Sequence, residues 1–240
     1  MAGVAAAWRR FLTDRLEFRA LGLIIALGGA ILAFLGLSDE VGENATAAFD
    51  RAILLWFRNP ANPADPIGSR AVEEAMRDVT ALGGVTLLTL FVVIAAASLL
   101  FFGKWRQAVV LTVTIILAEV CNDTLKVVYD RPRPELVPHG VYVYTHSFPS
   151  GHSMLSAATY LTVAAILSSL DRRRRFKAFV FTLAILVIVA VGVSRVYLGV
   201  HWPTDVLAGW TLGAAWALLA RLVLGIWRGE APAAGKDERR

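Results

Sequence analysis

The sequence predicts an all-α fold, an integral membrane bundle of six transmembrane helices with the N- and C-termini cytoplasmic. Three observations carry that prediction. The 240 residues are 57% hydrophobic, above the roughly 45–50% of an ordinary soluble domain, and the mean hydropathy is +0.59. The excess falls in runs long enough to cross a bilayer, about 20 residues each. Lys and Arg gather in 1–19, 103–107, 171–177 and 228–240 and thin out in the connections between, as cytoplasmic segments do. The net charge of +5 has the same source, so a lipid bilayer is the expected partner and no nucleic acid is. The single cysteine, Cys121, lies in an apolar run and reads as a small core residue. It rules out an intrachain disulfide and a Cys-rich metal site.

Residues 1–19 interleave Arg9, Arg10, Arg15 and Arg19 with Trp8, Phe11, Leu12, Leu16 and Phe18, the pattern of a cytoplasmic amphipathic segment. The run after it, 20–37, is longer than a signal-peptide core and has no clear small-x-small cleavage site, so it is read as an uncleaved first span. Residues 38–81 form the longest connection, an acidic one. Within it 48–58 is apolar enough to rest at the interface. Asp65-Pro66 reads as a cap and first helical residue, opening a polar helix to about Thr80. This loop carries no catalytic signal, although it can shape substrate entry. The second span is 82–102 and the third 108–128. Spacings of three and four put Glu119, Asn122, Asp123 and Lys126 on one face of the third, and polar groups inside a span are functional candidates. Hydrogen bonding between helices is the plainer reading for Glu119 and Asn122, and pairing with or orienting a cation for Asp123. A second sizeable loop, 129–153, leads to the fourth span, 154–170, with Ser153 as its cap. The basic turn 171–177 sets topology and could hold anionic lipid. The fifth span is 177–193 and the sixth 204–227. The tail, 228–240, is expected to be disordered. No internal repeat interrupts the single catalytic domain, 20–227.

With the N-terminus inside, the third span ends, the fourth begins, the fifth ends and the sixth begins on the outer face. The polar residues at those helix ends therefore share one face. They are the cations Lys126, Arg133 and Arg195, then Ser150 and Gly151 beside a helix start, and His152, His201 and Asp205. Pro203 suits the first turn of a helix, which puts His201 just before a helix N-terminus and Asp205 in its first turn. The free N–H groups there suit a phosphate. Three cations suit a phosphoryl group, whose charge is spread over several oxygens. Gly151 allows close approach of backbone to ligand. Two imidazoles can divide the work, one attacking phosphorus and the other protonating the leaving oxygen. Asp205 can accept the second N–H of His201 and fix its tautomer. No carboxylate cluster suggests a metal, and no cofactor is expected.

Three short patterns fall on these residues. They are Lys126, six residues, Arg133-Pro134; Pro149-Ser150-Gly151-His152; and Ser194-Arg195, five residues, His201, three residues, Asp205. In all three, complete and in order, the chain resembles the type 2 phosphatidic acid phosphatase superfamily of membrane lipid phosphatases. The resemblance implies that His201 is the nucleophile and forms a phosphohistidine, that Asp205 orients it, and that His152 is the general acid. It implies that Lys126, Arg133 and Arg195 bind phosphate oxygens, helped by Ser150, Gly151 and Ser194, without a metal. Vanadate-dependent haloperoxidases share the motifs but are not built as six-span proteins.

The expected substrate is a phosphate monoester or diphosphate of a membrane lipid. Phosphatidate, phosphatidylglycerol phosphate, undecaprenyl diphosphate and lipid A types all fit. The expected site of action is the periplasmic, extracytoplasmic side of the inner cell membrane, and oligomeric state stays open. One alternative is a lipid phosphoryl or headgroup transferase on the same scaffold. Another, from a different class, is an anion transporter. Against the transporter, the charges cluster at helix ends rather than at broken helices near the bilayer centre. Outside the motifs, Arg131 reads as structural or as a general electrostatic aid. His139 and His146 read as exposed loop histidines, and Tyr197, Trp202 and Trp210 as an interfacial aromatic belt.

Overall fold

In hydrocarbon a backbone can satisfy its N–H and C=O groups within one segment only as a helix, and the long apolar runs of this chain are helical. The computed structural model describes the backbone of residues 2–141, 145–171 and 173–227, and within these the side chains of residue 18 and of residue 20 onward. The elements in order are α1 (Ala2–Gly42), α2 (Ala47–Trp56), β1 (Arg58–Asn59), β2 (Asn62–Pro66), α3 (Arg70–Ala81), α4 (Val85–Phe101), α5 (Trp105–Tyr129), α6 (Gly151–Leu170), α7 (Arg174–Tyr197) and α8 (Pro203–Trp227). Among the described residues five stretches are long and apolar enough to cross a membrane: Ala20–Gly42 within α1, and α5, α6, α7 and α8. The expected second span corresponds to α4, which has only 17 residues. It reaches spanning length only together with α3, across a 47° bend. The chain is thus a multi-pass membrane protein, with five candidate spans among the described residues, or six if the bent pair counts as one.

The loop 38–81 departs from expectation. α1 runs on to Gly42, past the predicted end of the first span. The polar helix opens at Arg70, not at Pro66, and Ser69 stands before it in extended backbone. Asn62–Pro66 instead pairs with Arg58–Asn59 as a short antiparallel ribbon, so the chain is not purely helical. The local chemistry explains the difference. The Asn59 side chain accepts the Ala61 N–H and the Asn62 side chain accepts the Ala64 N–H, turns that compete with helix. Gly68, at φ +111°, then turns the chain just before Ser69. The expected amphipathic character of 1–19 rests largely on side chains outside the described residues, and so does the expected disorder of 228–240.

α6 is the axis of the bundle. Its span is 56% buried, whereas that of Ala20–Gly42 is 6% buried. The sequence reason is size. On α8, Gly209 meets Ser153 and the backbone of Ser150 and Met154, and Gly213 meets Ala157 and the backbone of Met154 and Ala158; small residues let helices approach closely. α7 packs on α6 through Val180, Ala184 and Ile188 against Ala157 and Ala164. α1 joins through Phe34 and Val41, which pack with Phe148 and Ala208. α2 does more than rest on a surface. Phe49 and Trp56 are exposed, but Leu54 is fully buried in a cluster with Val137, Val196 and Val206, next to the functional residues.

Candidate active site

The ends of α5 and α7 and the starts of α6 and α8 meet. The Ser150 N–H, just before α6, donates to the Asp205 carbonyl at 3.0 Å, tying the two helix starts together. After α5, Asp130 takes a left-handed conformation (φ +45°), and the chain turns back with Arg131 and Arg133. Gly151 packs against α5, where a Cβ would stand 3.0 Å from Asn122 Nδ2. Close packing on Asn122 is therefore what the missing side chain provides at this glycine.

His201 lies at the centre and is 1% exposed. Its Nε2 is 3.1 Å from Arg133 Nη1. Its Nδ1 is 3.4 Å from both Asp205 Oδ2 and Ser147 Oγ. A guanidinium can only donate, so Nε2 carries the lone pair and Nδ1 carries the proton, facing the carboxylate. Burial, and then the charges of Arg195, Arg133 and Lys126, push the imidazole well below its ordinary pKa. It is neutral around pH 7, with the Nε2 lone pair unprotonated and turned to Arg133 Nη1. The Asp205 carboxylate is wholly buried. Its Oδ2 accepts the Ser147 hydroxyl and, at 2.9 Å, the Trp202 N–H. Its Oδ1 accepts Arg131 Nη1 at 2.5 Å.

The cations surround this imidazole. Arg133 Nη1 also donates to the Val200 carbonyl at 2.7 Å, and its Nε to the Thr145 carbonyl at 2.7 Å. Lys126 Nζ donates to Thr145 Oγ1 at 2.8 Å. Arg195, 4% exposed, reaches Thr80 Oγ1 at 3.0 Å, and its Nε has no partner among the described residues. His152 is half-buried on the first turn of α6 and has no hydrogen-bond partner among the described residues. The groups acting on it electrostatically are Arg195, His201, Lys126 and Arg133. Its ring lies by the α3–α4 junction, with Nε2 3.7 Å from where a Gly84 Cβ would be.

The structure thus gathers Lys126, Arg133, His152, Arg195, His201 and Asp205, with Ser150 and Gly151 at the α6 start. The two serine hydroxyls are differently used. Ser194 is buried and donates to the Val191 carbonyl at 2.6 Å, within its own helix. Ser150 accepts the Ser153 hydroxyl at 3.0 Å and is also buried. Ser153 therefore lies inside α6 rather than capping it. Asp123 is exposed and forms no ion pair with Lys126 among the described residues, because the lysine turns to Thr145. Among the described residues no hydrogen-bond partner, on another helix or elsewhere, reaches the buried atoms Glu119 Oε2 and Asn122 Oδ1. Tyr197 is core rather than interfacial belt, 2% exposed with its hydroxyl on the Ile67 carbonyl.

Sequence reasoning missed several neighbours of the site. Asp50, in the loop that carried no catalytic signal, is 1% exposed and binds both Arg131 and Thr204. Ser147, Thr145 and Thr80 hold Asp205, Lys126 and Arg195 in turn. One signal existed, an acid placed among Phe49, Ile53 and Leu54 on a short apolar stretch. The hydroxyl residues carry none.

A buried imidazole set between a guanidinium and a carboxylate, ringed by two further cations and a second imidazole, is suited to a phosphoryl group on an amphiphile. Comparison with known proteins agrees. Residues 107–227 match the PAP2 superfamily. The chain is 35% identical over 183 residues to phosphatidylglycerophosphatase B of Bacillus subtilis, covering 76% of this chain and 86% of that protein. It superposes on the crystal structure of the transmembrane PAP2-type phosphatidylglycerolphosphate phosphatase from Bacillus subtilis with a TM-score of 0.71 at 34% identity, over 85% of this chain and 96% of that one. It is also 33% identical over 124 residues to undecaprenyl-diphosphatase of Sulfolobus acidocaldarius, 49% of this chain and 56% of that protein. The chain belongs to the PAP2 superfamily. It is a membrane hydrolase of the lipid phosphatase kind.

Proposed function

We propose that the enzyme removes phosphate from a membrane lipid in two steps, through a phosphohistidine at His201, on the extracytoplasmic face of the inner membrane. One observation carries the reading: Nε2 of a buried, neutral His201 faces Arg133 while Nδ1–H faces Asp205. In the first step Nε2 attacks phosphorus. The bond to the lipid oxygen breaks and His152 gives that oxygen a proton. Asp205 then faces an imidazole that has become positive. In the second step water attacks, His152 takes its proton, and the P–N bond breaks to return neutral His201. Lys126, Arg133 and Arg195 neutralise the phosphoryl oxygens. Lys126 and Arg133 both reach Thr145, so one phosphate oxygen near that hydroxyl lies within range of both. Gly151, and the backbone beside Ser150, Ser194 and His201, complete the cradle. Fixed cations supply the charge, so the reading is of metal-independent hydrolysis.

In this reading α3 and α4 form one bent span, which makes six, and both termini are cytoplasmic. The basic segments 103–107 and 171–177 then share the side opposite the site, in line with their charge. The substrate is a lipid phosphate monoester or diphosphate. Phosphatidylglycerol phosphate comes first, because the relative of that name aligns over most of its length, and undecaprenyl diphosphate second. The test is phosphate release by purified protein in detergent with EDTA. The panel is phosphatidylglycerol phosphate, phosphatidate, undecaprenyl diphosphate and lipid A, beside His201→Ala. Release by the wild type and none by the variant is expected. Equal release by the variant removes His201 as nucleophile. Silence on every lipid overturns the hydrolytic reading.

A further inference from the structure

We propose that Asp50 and Arg131, both outside the three motifs, are positioning residues for the catalytic histidine, acting through Asp205; the inference rests on the role proposed for His201. The first turn of α8 is held by a capping box shared between distant parts of the chain. Asp205, the third helical residue, reaches back to the Trp202 N–H at 2.9 Å, which is the usual second half of such a box. Trp202, which precedes the helix, has no acceptor to supply the first half. Asp50 of α2 supplies it. Its Oδ1 accepts the Thr204 N–H at 2.9 Å, and its Oδ2 accepts the Thr204 hydroxyl at 2.7 Å. Asp50 is therefore a cap brought in from 154 residues away, and it meets an N–H that the helix cannot satisfy itself.

Arg131 ties this cap to the chemistry. Its Nη2 donates to Asp50 Oδ2 at 2.7 Å, and its Nη1 to Asp205 Oδ1 at 2.5 Å and to Thr204 Oγ1 at 2.8 Å. One planar guanidinium thus bridges two carboxylates, with side chains 1% and 0% exposed. Its central carbon lies 5.7 Å from the centre of the Trp202 ring, and Trp202 Nε1 donates to the Pro132 carbonyl at 3.1 Å. The fork holds Asp205 by Oδ1 and so fixes the plane of the carboxylate. Oδ2 is left facing His201 Nδ1, Ser147 and the Trp202 N–H. Neither Asp50 nor Arg131 bonds to His201. Both set where the carboxylate that faces it can point. A lysine in place of Arg131 could hold one carboxylate but lacks the rigid fork that reaches both.

The prediction separates positioning from phosphate binding and from mere scaffolding. Asp50→Asn keeps the shape and an acceptor for Thr204, and Arg131→Lys keeps the charge. Thermal midpoints report folding. On a lipid that the wild type hydrolyses, kcat falls roughly tenfold in Asp50→Asn and roughly 30-fold in Arg131→Lys, with KM within about twofold. Asp50→Asn/Arg131→Lys falls little below Arg131→Lys alone, because the two residues act through one carboxylate. A second readout does not depend on activity. In the 15N NMR spectrum of histidine-labelled protein, the His201 signal, identified by its loss in His201→Asn, reports the Nδ1–H tautomer in the wild type. A mixture of tautomers is expected in both variants. An unchanged tautomer in the folded variants overturns the proposal even if no lipid in the panel is hydrolysed. With activity in hand, a raised KM at constant kcat makes Arg131 a phosphate ligand instead. Losses that multiply in the double variant make the two residues independent, and either result overturns the proposal.

Discussion

The two imidazoles of the site stand at the starts of packed helices, yet their surroundings differ. His201 is sealed from solvent, with both ring nitrogens facing partners and its neighbouring carboxylate held from several sides. His152 is half-buried against the Gly83-Gly84 turn, and its ring has no hydrogen bond among the described residues. On the roles proposed above, the difference follows the task. A nucleophile needs one lone pair held on one line, and misplacement is costly. A group that first gives a proton to a leaving oxygen and then takes one from water must serve two positions in each turnover. Rigid partners would hinder it.

The largest effect should come from the held imidazole. His201→Ala is expected to lose about 10⁴-fold or more in kcat, and alkali-quenched protein, in which a phosphohistidine survives, should show no label from a 32P-labelled lipid where the wild type does. A labelled variant would break the comparison. His152→Ala should lose about 10²–10⁴-fold on lipids but less than about tenfold on p-nitrophenyl phosphate, whose leaving group needs little help from a proton. Equal losses on both substrates would take the acid role from His152. Arg133→Ala should lose about 10²-fold in kcat/KM, together with a shift in its pH profile. Arg133 is one of the charges that keep His201 below its ordinary pKa, after burial and Arg195. Removing that charge raises the pKa, so the neutral nucleophile is lost at a higher pH as pH falls, and the acid limb of kcat/KM moves up. An unmoved limb would mean that the limb belongs to another group. The smallest effect is expected at Gly83. A Cβ there would stand 2.5 Å from Val191 Cγ1 and 3.0 Å from the His152 carbonyl. Gly83→Ala should cost about 1–3 kcal/mol of stability, read as a lower thermal midpoint. It should slow lipid turnover a few-fold while sparing p-nitrophenyl phosphate.

What was legible in the sequence shared one property: its signal is local. Apolar runs announce helices whatever lies elsewhere, and α5 to α8 are helices that cover such runs. His201, Asp205 and Arg195 lie close together in the chain, and Pro203 marks a helix start directly. The partners that complete the site have no such signature. Asp50 meets Arg131 across 81 residues and Thr204 across 154, and each looks ordinary in its own neighbourhood. Ser147 and Thr145 are small polar residues in a loop, where small polar residues are common. In the 38–81 loop, Asp65-Pro66 is compatible with both a helix start and the end of a strand. The positive φ of Gly68, which decides between them, is not written in the pattern of residue types.

The enclosure of His201 also bears on how a phosphorylated enzyme would be discharged. A ring 1% exposed leaves little room around it, so on the proposed role a second acceptor would need the space that the departing lipid vacates. On that role water and lipid alcohols would compete for the same space, and the product ratio would measure how quickly it refills with each. Hydrolysis and transfer become two ends of a partition ratio, which added short alcohols would shift in proportion to their concentration.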